Sequence, residues 1–333
     1  YYMKILIVGC GSIGKRHLRN LLTIGIKHEN ISCVETRQDR VTEVKNYGIE
    51  RVYSNLDSAL IDKNYDAAII CSPTSLHIEQ CNILSSKKVN LMIEKPLSRN
   101  LEGIEILKRN VKENNLVVLM AYIFRFTPQV QMIKKLIQEN ALGKIYYVRG
   151  EFSEYLPDWH PYEDYRSFYM AEKSMGGGSI LDQSHIFDLV HYLLGGFKNV
   201  KAYNSKISNL ELNADDISEL IVEMNSGVIA SLHTDIFGRQ HQKFLEIKGE
   251  NGNIKWDFYK NEVSIYDPKD KAVKIFKKFP TDFNLTYINE IKHFLECCQN
   301  KKKTFASLED GIDTMKLILA AEKSHQNKSL EII

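Results

Sequence analysis

The sequence predicts an α/β protein in two parts: a doubly wound parallel sheet with crossover helices in residues 1–122, and an α+β domain with an open, mostly antiparallel sheet in residues 123–333. Three observations carry this expectation. The chain of 333 residues has room for about two domains of ordinary size. Up to Tyr122, short β-branched runs alternate with stretches of helical spacing, the mark of βαβ units. Beyond Pro128 that alternation gives way to successive strands separated by polar turns.

In the first part the strands are expected at residues 4–8, 31–35, 67–71, 91–94 and 117–122. Residues 14–22, 75–87 and 101–114 carry apolar side chains three and four apart, which suits helices covering a sheet. In the second part a helix to about residue 140 leads to a strand at 144–152, then to an irregular aromatic stretch ending at Tyr169. From about residue 200 to 279 the pattern is an antiparallel meander, with tight turns at Asn225-Ser226-Gly227 and Glu250-Asn251-Gly252-Asn253. The last 50 residues are helical, and a helix at about 307–325 is expected to pack back on the first domain.

Composition excludes several classes of function. Hydrophobic residues make up 44% and charged residues 26%, as in folded globular chains. Forty-four basic against 42 acidic residues leave a formal charge of +2, too little for a field that attracts nucleic acid or an anionic membrane. No apolar run approaches the roughly 18–20 residues of a membrane span, so the expectation is a cytoplasmic protein. The six cysteines lack CxxC spacing and read as reduced structural thiols, with no metal site expected.

Gly9-Cys10-Gly11-Ser12-Ile13-Gly14 follows the first strand and opens a helix, the context of a dinucleotide fingerprint. Gly9 permits the tight turn, Gly11 lets the backbone approach a pyrophosphate, and Gly14 lets helix and strand pack closely. Glu35 ends the second strand, where an acid holds the ribose hydroxyls of NAD; Arg37, two residues on, leaves NADP open. Ligands of such sheets sit beyond the carboxyl ends of strands, which adds Cys71, Ser72, Pro73, His77, Glu94 and Lys95 to the expected cofactor contacts.

In the second part, Gly176-Gly177-Gly178 opens a helix expected to run through Asp188 to a stop at Gly195-Gly196. Asp182 and His185, three apart, would share one face of it with Ile186 and Leu189, and an acid beside an imidazole fixes its tautomer.

These residues resemble the glucose-fructose oxidoreductase/inositol dehydrogenase family, the Gfo/Idh/MocA group, over essentially the whole chain. The matches are Gly9-x-Gly11-x-x-Gly14-x-x-His17, Glu94-Lys95-Pro96, Arg125-Phe126-Thr127-Pro128, and the triple glycine with Asp182, His185 and Asp188. The segments Glu290 to Phe294 and Leu308 to Gly311 also look like the family. Many members space the Asp and His by four residues rather than three. The resemblance implies an N-terminal Rossmann domain, a second domain whose open sheet makes a homodimer or homotetramer, an active site between the domains, and catalytic Lys95, His185 and Asp182.

The stretch Tyr155-Leu156-Pro157-Asp158-Trp159-His160-Pro161-Tyr162-Glu163-Asp164-Tyr165-Arg166 resembles a branch associated with bacterial surface-sugar pathways. Aromatic faces stack on sugar C–H surfaces, while Asp and Arg bind hydroxyls, carboxylates or phosphates. Arg125, Tyr155, Trp159, Asp164, Tyr165 and Arg166, with Asp182 and His185, are therefore the expected substrate contacts, although the aromatic residues serve equally as packing. The implied activity is hydride exchange between NAD(P) and a secondary alcohol or ketone of a sugar, sugar derivative or nucleotide sugar, with His185 as acid/base and Lys95 at the same oxygen. A redox-neutral glycosidase or eliminase and a non-catalytic cofactor sensor are the alternatives.

Overall fold

Runs of Ile, Val and Leu too apolar for a surface strand form a sheet buried on both faces, as parallel sheets are. In the computed structural model, which describes residues 3–159, 163–279 and 282–333, these runs are β1 (Ile5–Val8), β2 (Ile31–Val34), β3 (Val52–Tyr53), β4 (Ala67–Ile70), β5 (Asn90–Ile93) and β6 (Val118–Met120). They pair in parallel in the order β3-β2-β1-β4-β5-β6. Helices α1 (Ser12–Thr23), α2 (Gln38–Asn46), α3 (Leu56–Asp62), α4 (His77–Ser86) and α5 (Ile104–Glu113) alternate with the strands. The strand order reverses between β1 and β4, so their carboxyl ends diverge into the crevice where such sheets take ligands. The sequence reading missed β3, α2 and α3. A two-residue strand has no period, and α2 buries only Val44.

The second unit starts with α6 (Pro128–Gln138), whose first turn is capped by the Thr127 hydroxyl and opened by Pro128. There follow β7 (Ile145–Tyr155), α7 (Ser179–Asp182), α8 (His185–Leu194), β8 (Phe197–Ser205), β9 (Ile217–Met224), β10 (Ile229–Asp235), β11 (Phe237–Gly249), β12 (Gly252–Asp257), β13 (Glu262–Asp267) and β14 (Ala272–Lys278). The chain closes with α9 (Asn284–Asn300), α10 (Leu308–Asn327) and β15 (Glu331–Ile332). The nine-stranded sheet has the order β14-β13-β12-β11-β7-β10-β9-β8-β15. Both predicted turns are present, with Gly227 and Gly252 at positive φ. The single meander is not: β7 lies between β10 and β11, parallel to β10, and splits it in two. Alternating polarity announces which face is buried but says nothing about which strand is the neighbour.

Contacts divide the chain into one unit of residues up to 123 with 283–311, and another of 124–282 with 312–333. The segment that returns to the first unit is thus α9 with the start of α10, the helix expected at 307–325, while the rest of α10 belongs to the second unit. Side-chain amides of Asn284 and Asn20 bond reciprocally, and the Met120 N–H donates to the Ala306 carbonyl at 2.9 Å, extending the edge at β6.

One face of the second sheet is packed by α7 and α8. A Cβ on Gly150 would stand 2.7 Å from the Ile186 side chain, so the helix rests on bare backbone there. The other face presents Ile221, Ile229, Tyr203 and Tyr266, all exposed, among the charges of Arg149, Glu219 and Lys255. On it His233 bridges Asp235 at 2.7 Å and Glu219 at 2.5 Å; burial alone would lower its pKa, but the two carboxylates raise it to about 9. Among the described residues no helix is long and apolar enough to cross a membrane.

Arg125 and Asp188 form an ion pair buried to 2% and 1% exposure, with the Arg125 Nη2 to Asp188 Oδ1 distance at 2.6 Å. Removing one partner leaves an uncompensated buried charge. Asp188→Ala should therefore destabilise the protein by about 3–5 kcal/mol, read as a lowered Tm and urea midpoint; a change within about 0.5 kcal/mol would mean that the pair adds nothing.

Candidate active site

The first unit carries the phosphate-binding turn. Gly9 has φ +89°, and a Cβ there would lie 2.8 Å from backbone atoms of Cys71 and Ser72. A Cβ on Gly14 would lie 2.0 Å from the Gly9 carbonyl oxygen, whereas one on Gly11 would meet only the Arg40 guanidinium, at 3.6 Å. The turn is therefore closed behind and open in front. No side chain caps α1 at Gly11, an arrangement in which the first amides of a helix suit an anion.

Glu35 lies just beyond β2. Its Oε2 accepts from the Cys10 N–H at 2.8 Å, and its Oε1 from the amides of Thr36 and Arg37 at 2.8 and 2.9 Å. These bonds hold the carboxylate beside the glycine turn, which fits a ribose diol. Arg37 turns away to Asp39, at 2.7 Å, and that bond pulls the Asp39 carboxyl down to about 2. The guanidinium beside Gly11 and Glu35 belongs instead to Arg40, with Nη1 4.0 Å from Glu35 Oε2; its place five residues after the acid was the available signal.

Cys71, Ser72 and Pro73 follow β4 at the crevice, and the Ser72 hydroxyl donates to Gln80 Oε1 at 2.6 Å. Two expected cofactor contacts also brace the strand ends. His77 is buried to 1% exposure, its Nδ1 3.0 Å from the Pro96 carbonyl and its Nε2 2.9 Å from the Ser72 carbonyl, so it ties together the loops after β4 and β5. Glu94 turns its Oε1 to His17 Nε2 at 2.8 Å and accepts the Lys95 N–H on Oε2 at 3.3 Å. Lys95 is half-buried at the end of β5, held from behind by this pair. Near Glu94 stands a residue the sequence offered only as part of a family segment: Glu290 of α9 is fully buried with neither carboxylate oxygen hydrogen-bonded, and burial together with the Glu94 charge pushes its carboxyl well above the usual range.

In the second unit the glycine-opened helix is not continuous. It breaks at Gln183-Ser184, so Asp182 ends α7 and His185 begins α8; they do not share a helix face with Ile186 and Leu189. Asp215 anchors the start of α7 by accepting from the Ser179 hydroxyl at 2.8 Å and the Ile180 N–H at 2.9 Å. A Cβ on Gly178 would strike that carboxylate, which explains the glycine. Tyr169 donates to Asp182 at 3.3 Å. From Gly176 to Val190 every residue is buried except His185, whose ring meets Phe124 edge-on at 4.9 Å.

Of the expected substrate contacts, Arg125 is instead bound by Asp188 inside the unit, and its guanidinium covers Tyr192. Tyr155 lies beneath the Arg239 guanidinium at 3.8 Å. Trp159 and Tyr165 pack on the cluster of Leu156, Phe168, Met170 and Ile236, and the Tyr165 hydroxyl accepts the Glu211 N–H at 3.0 Å. Asp164 and Arg166 pair with each other at 2.9 Å, and Arg166 also reaches Glu211. His160, Pro161 and Tyr162 lie outside the described residues.

Residues 3–122 match the family profile described as "Oxidoreductase family, NAD-binding Rossmann fold", and residues 134–332 match its "C-terminal alpha/beta domain". The chain belongs to the Gfo/Idh/MocA family of oxidoreductases. A myo-inositol 2-dehydrogenase of Thermotoga maritima is 26% identical over 98% of this chain and 97% of its own. Among solved structures, a levoglucosan dehydrogenase in complex with NADH has a TM-score of 0.87 at 22% identity, covering 99% of each chain. The WlbA dehydrogenase of Bordetella pertussis in complex with NADH and UDP-GlcNAcA has a TM-score of 0.85 at 19% identity, covering 99% of this chain and 97% of that one. As in the family, the nucleotide is NAD, and the glycine cradle and Glu35 fit it.

Two measurements follow from this geometry. NAD should bind more tightly than NADP, because the Glu35 carboxylate meets a 2′-phosphate; Glu35→Ser should weaken NAD roughly tenfold or more, the worth of charge-assisted bonds of about 1.5–3 kcal/mol. Fluorescence titration of both nucleotides reads it, and equal NADP affinity in the unaltered protein would assign the pocket to Arg40. For Glu290, the folded pKa is raised, so the folded state holds a proton the unfolded chain has lost, and stability falls as pH rises above the ordinary carboxyl range. Glu290→Gln should make the fall in Tm from pH 5 to pH 8 shallower; parallel curves would contradict a buried neutral acid.

Proposed function

We propose that the chain oxidises a secondary alcohol of a sugar or sugar derivative, or reduces the corresponding ketone, with NAD as the partner. The observation that carries this reading is His185: in a run of fifteen residues it alone is not fully buried, at a helix break that an uninterrupted hydrophobic stripe would not need. The hydroxyl proton of the substrate passes to the His185 imidazole, while the Lys95 ammonium hydrogen-bonds the same oxygen and stabilises charge as it develops. When bound, the nicotinamide supplies the two-electron acceptor for the hydrogen that leaves carbon. Glu94, His17 and His77 keep the Lys95 segment in place, and Asp182 contributes polarity at the end of α7.

The inositol and levoglucosan dehydrogenases among its relatives support a polyhydroxylated ring as substrate, and the WlbA complex extends the range to nucleotide sugars. Six free cysteines support a reducing, cytoplasmic setting. The exposed apolar residues on the outer sheet face support a homo-oligomer formed through that face, since Tyr203 and Ile221 are about half exposed in one chain, at 50% and 49%.

A screen of inositols, levoglucosan and nucleotide sugars at the reduced-nicotinamide absorbance band, with NAD and NADP in parallel, tests the reaction; product formed without net NADH would mark redox-neutral chemistry instead. Lys95→Met and His185→Asn should each lower turnover by roughly a hundredfold or more. NAD binding should survive both, because the pyrophosphate and ribose rest on the glycine turn and Glu35. Full activity in either variant would refute its assignment. Sedimentation at micromolar concentration should give a dimer or tetramer, and Ile221→Lys should weaken it; a monomer in the unaltered protein would mean that the face stands free.

A further inference from the structure

Glu154, near the end of β7, is an acid that the proposed reaction does not use. It is mostly buried, at 13% exposure, yet fully partnered. Its Oε1 accepts from the Tyr259 hydroxyl at 2.6 Å and faces the Lys243 ammonium at 3.0 Å, while its Oε2 accepts from the Gln183 side-chain amide at 3.1 Å. Burial alone would raise its pKa, but the Lys243 charge and these bonds outweigh that and lower it. The Lys243 ammonium in turn stands 5.6–6.0 Å from the ring centres of Phe152, Phe258 and Phe124. Phe124 is the ring against which His185 rests.

Gln183 is the first residue of the break between α7 and α8. At the break the α-helical ladder gives way to two longer i→i−3 bonds, from the Ser184 N–H to the Leu181 carbonyl at 3.3 Å and from the Ile186 N–H to the Gln183 carbonyl at 3.2 Å, so the angle at which α8 leaves, and with it the place of His185, depends on side-chain anchors as well. Asp215 anchors the start of α7, and Glu154 anchors its end through Gln183. Lys243 and Tyr259 hold that anchor ionised and oriented, and Lys243 also borders the aromatic support beneath the imidazole.

We propose that Glu154 is a positioning residue for His185, acting through Gln183 at the helix break, with Lys243 and Tyr259 as its fixed partners. This rests on the reading of His185 as the acid/base, and the test separates the two.

The full-length protein, labelled with carbon-13 at histidine and saturated with NAD, gives a ring resonance assigned to His185 by its loss in His185→Asn. Edge contact with Phe124 makes that resonance sensitive to small displacements. Glu154→Gln and Gln183→Met should each move it, and should lower kcat by about ten- to a hundredfold for whichever of myo-inositol, scyllo-inositol and levoglucosan is oxidised, with KM little changed. Two folded variants guard against loss of fold in one. An unmoved resonance with unchanged kcat overturns the proposal, even where Tm falls, since that is the mark of packing alone. A raised KM with unchanged kcat overturns it too, by placing Glu154 on the substrate. Retained activity in His185→Asn would refute the acid/base reading while leaving the resonance test of positioning intact.

Discussion

Where β1 and β4 end side by side, the backbone of Gly9 runs so close to Cys71 and Ser72 that a single methyl group on Gly9 would collide with three of their atoms. Nothing larger than hydrogen can occupy that place, and the positive φ that the turn requires belongs to glycine for the same reason. The close approach sets the start of α1, and so the direction of its first amides. It also brings the loops after β4 and β5 within reach of one buried imidazole, His77, which holds Lys95 at the same end of the sheet. The binding side of the first unit is thus a consequence of excluded volume more than of any attractive contact.

The second unit solves a different problem. The His185 imidazole leaves the core, yet the segment that carries it is buried along nearly its whole length. The chain interrupts the helix rather than exposing a face of it, and then fastens both ends of the short helix with carboxylates, Asp215 and Glu154, drawn from the sheet side. Burying two acids is expensive without partners. Asp215 receives a hydroxyl and an amide, and Glu154 receives an ammonium, a phenol and an amide, so each replaces the water it has lost.

Much of this was legible in the sequence because it is local. A glycine turn after an apolar strand, an acid at the next strand's end and a lysine at another's are readable in order along the chain, and they locate the cofactor side of the first unit. Residues that act through the fold were not readable in that way. Glu154 and Tyr259 are 105 positions apart, and no period connects them. The break at Gln183-Ser184 carries neither glycine nor proline, so the sequence reads as one helix. Arg125 and Asp188 bear opposite charges that only packing brings together; seen singly, Arg125 resembled a ligand for substrate. The insertion of β7 into the meander was hidden because alternation records burial and not pairing.

The first unit is closed by residues that lie more than 160 positions beyond its last strand: α9 covers α1, and Ala306 lengthens the edge at β6. A chain emerging from the ribosome therefore has all six strands of this sheet in hand by residue 120 but lacks the helix that covers α1 until some three hundred residues have been made. During that interval β7 to β14 emerge with the first unit still incomplete, and contacts of such long separation are slow to find. An amino-terminal fragment ending at β6 would present an uncovered α1 and an unpaired edge, a surface suited to chaperones and to aggregation alike. The order of synthesis, and not only the final packing, bears on whether this protein reaches its native state.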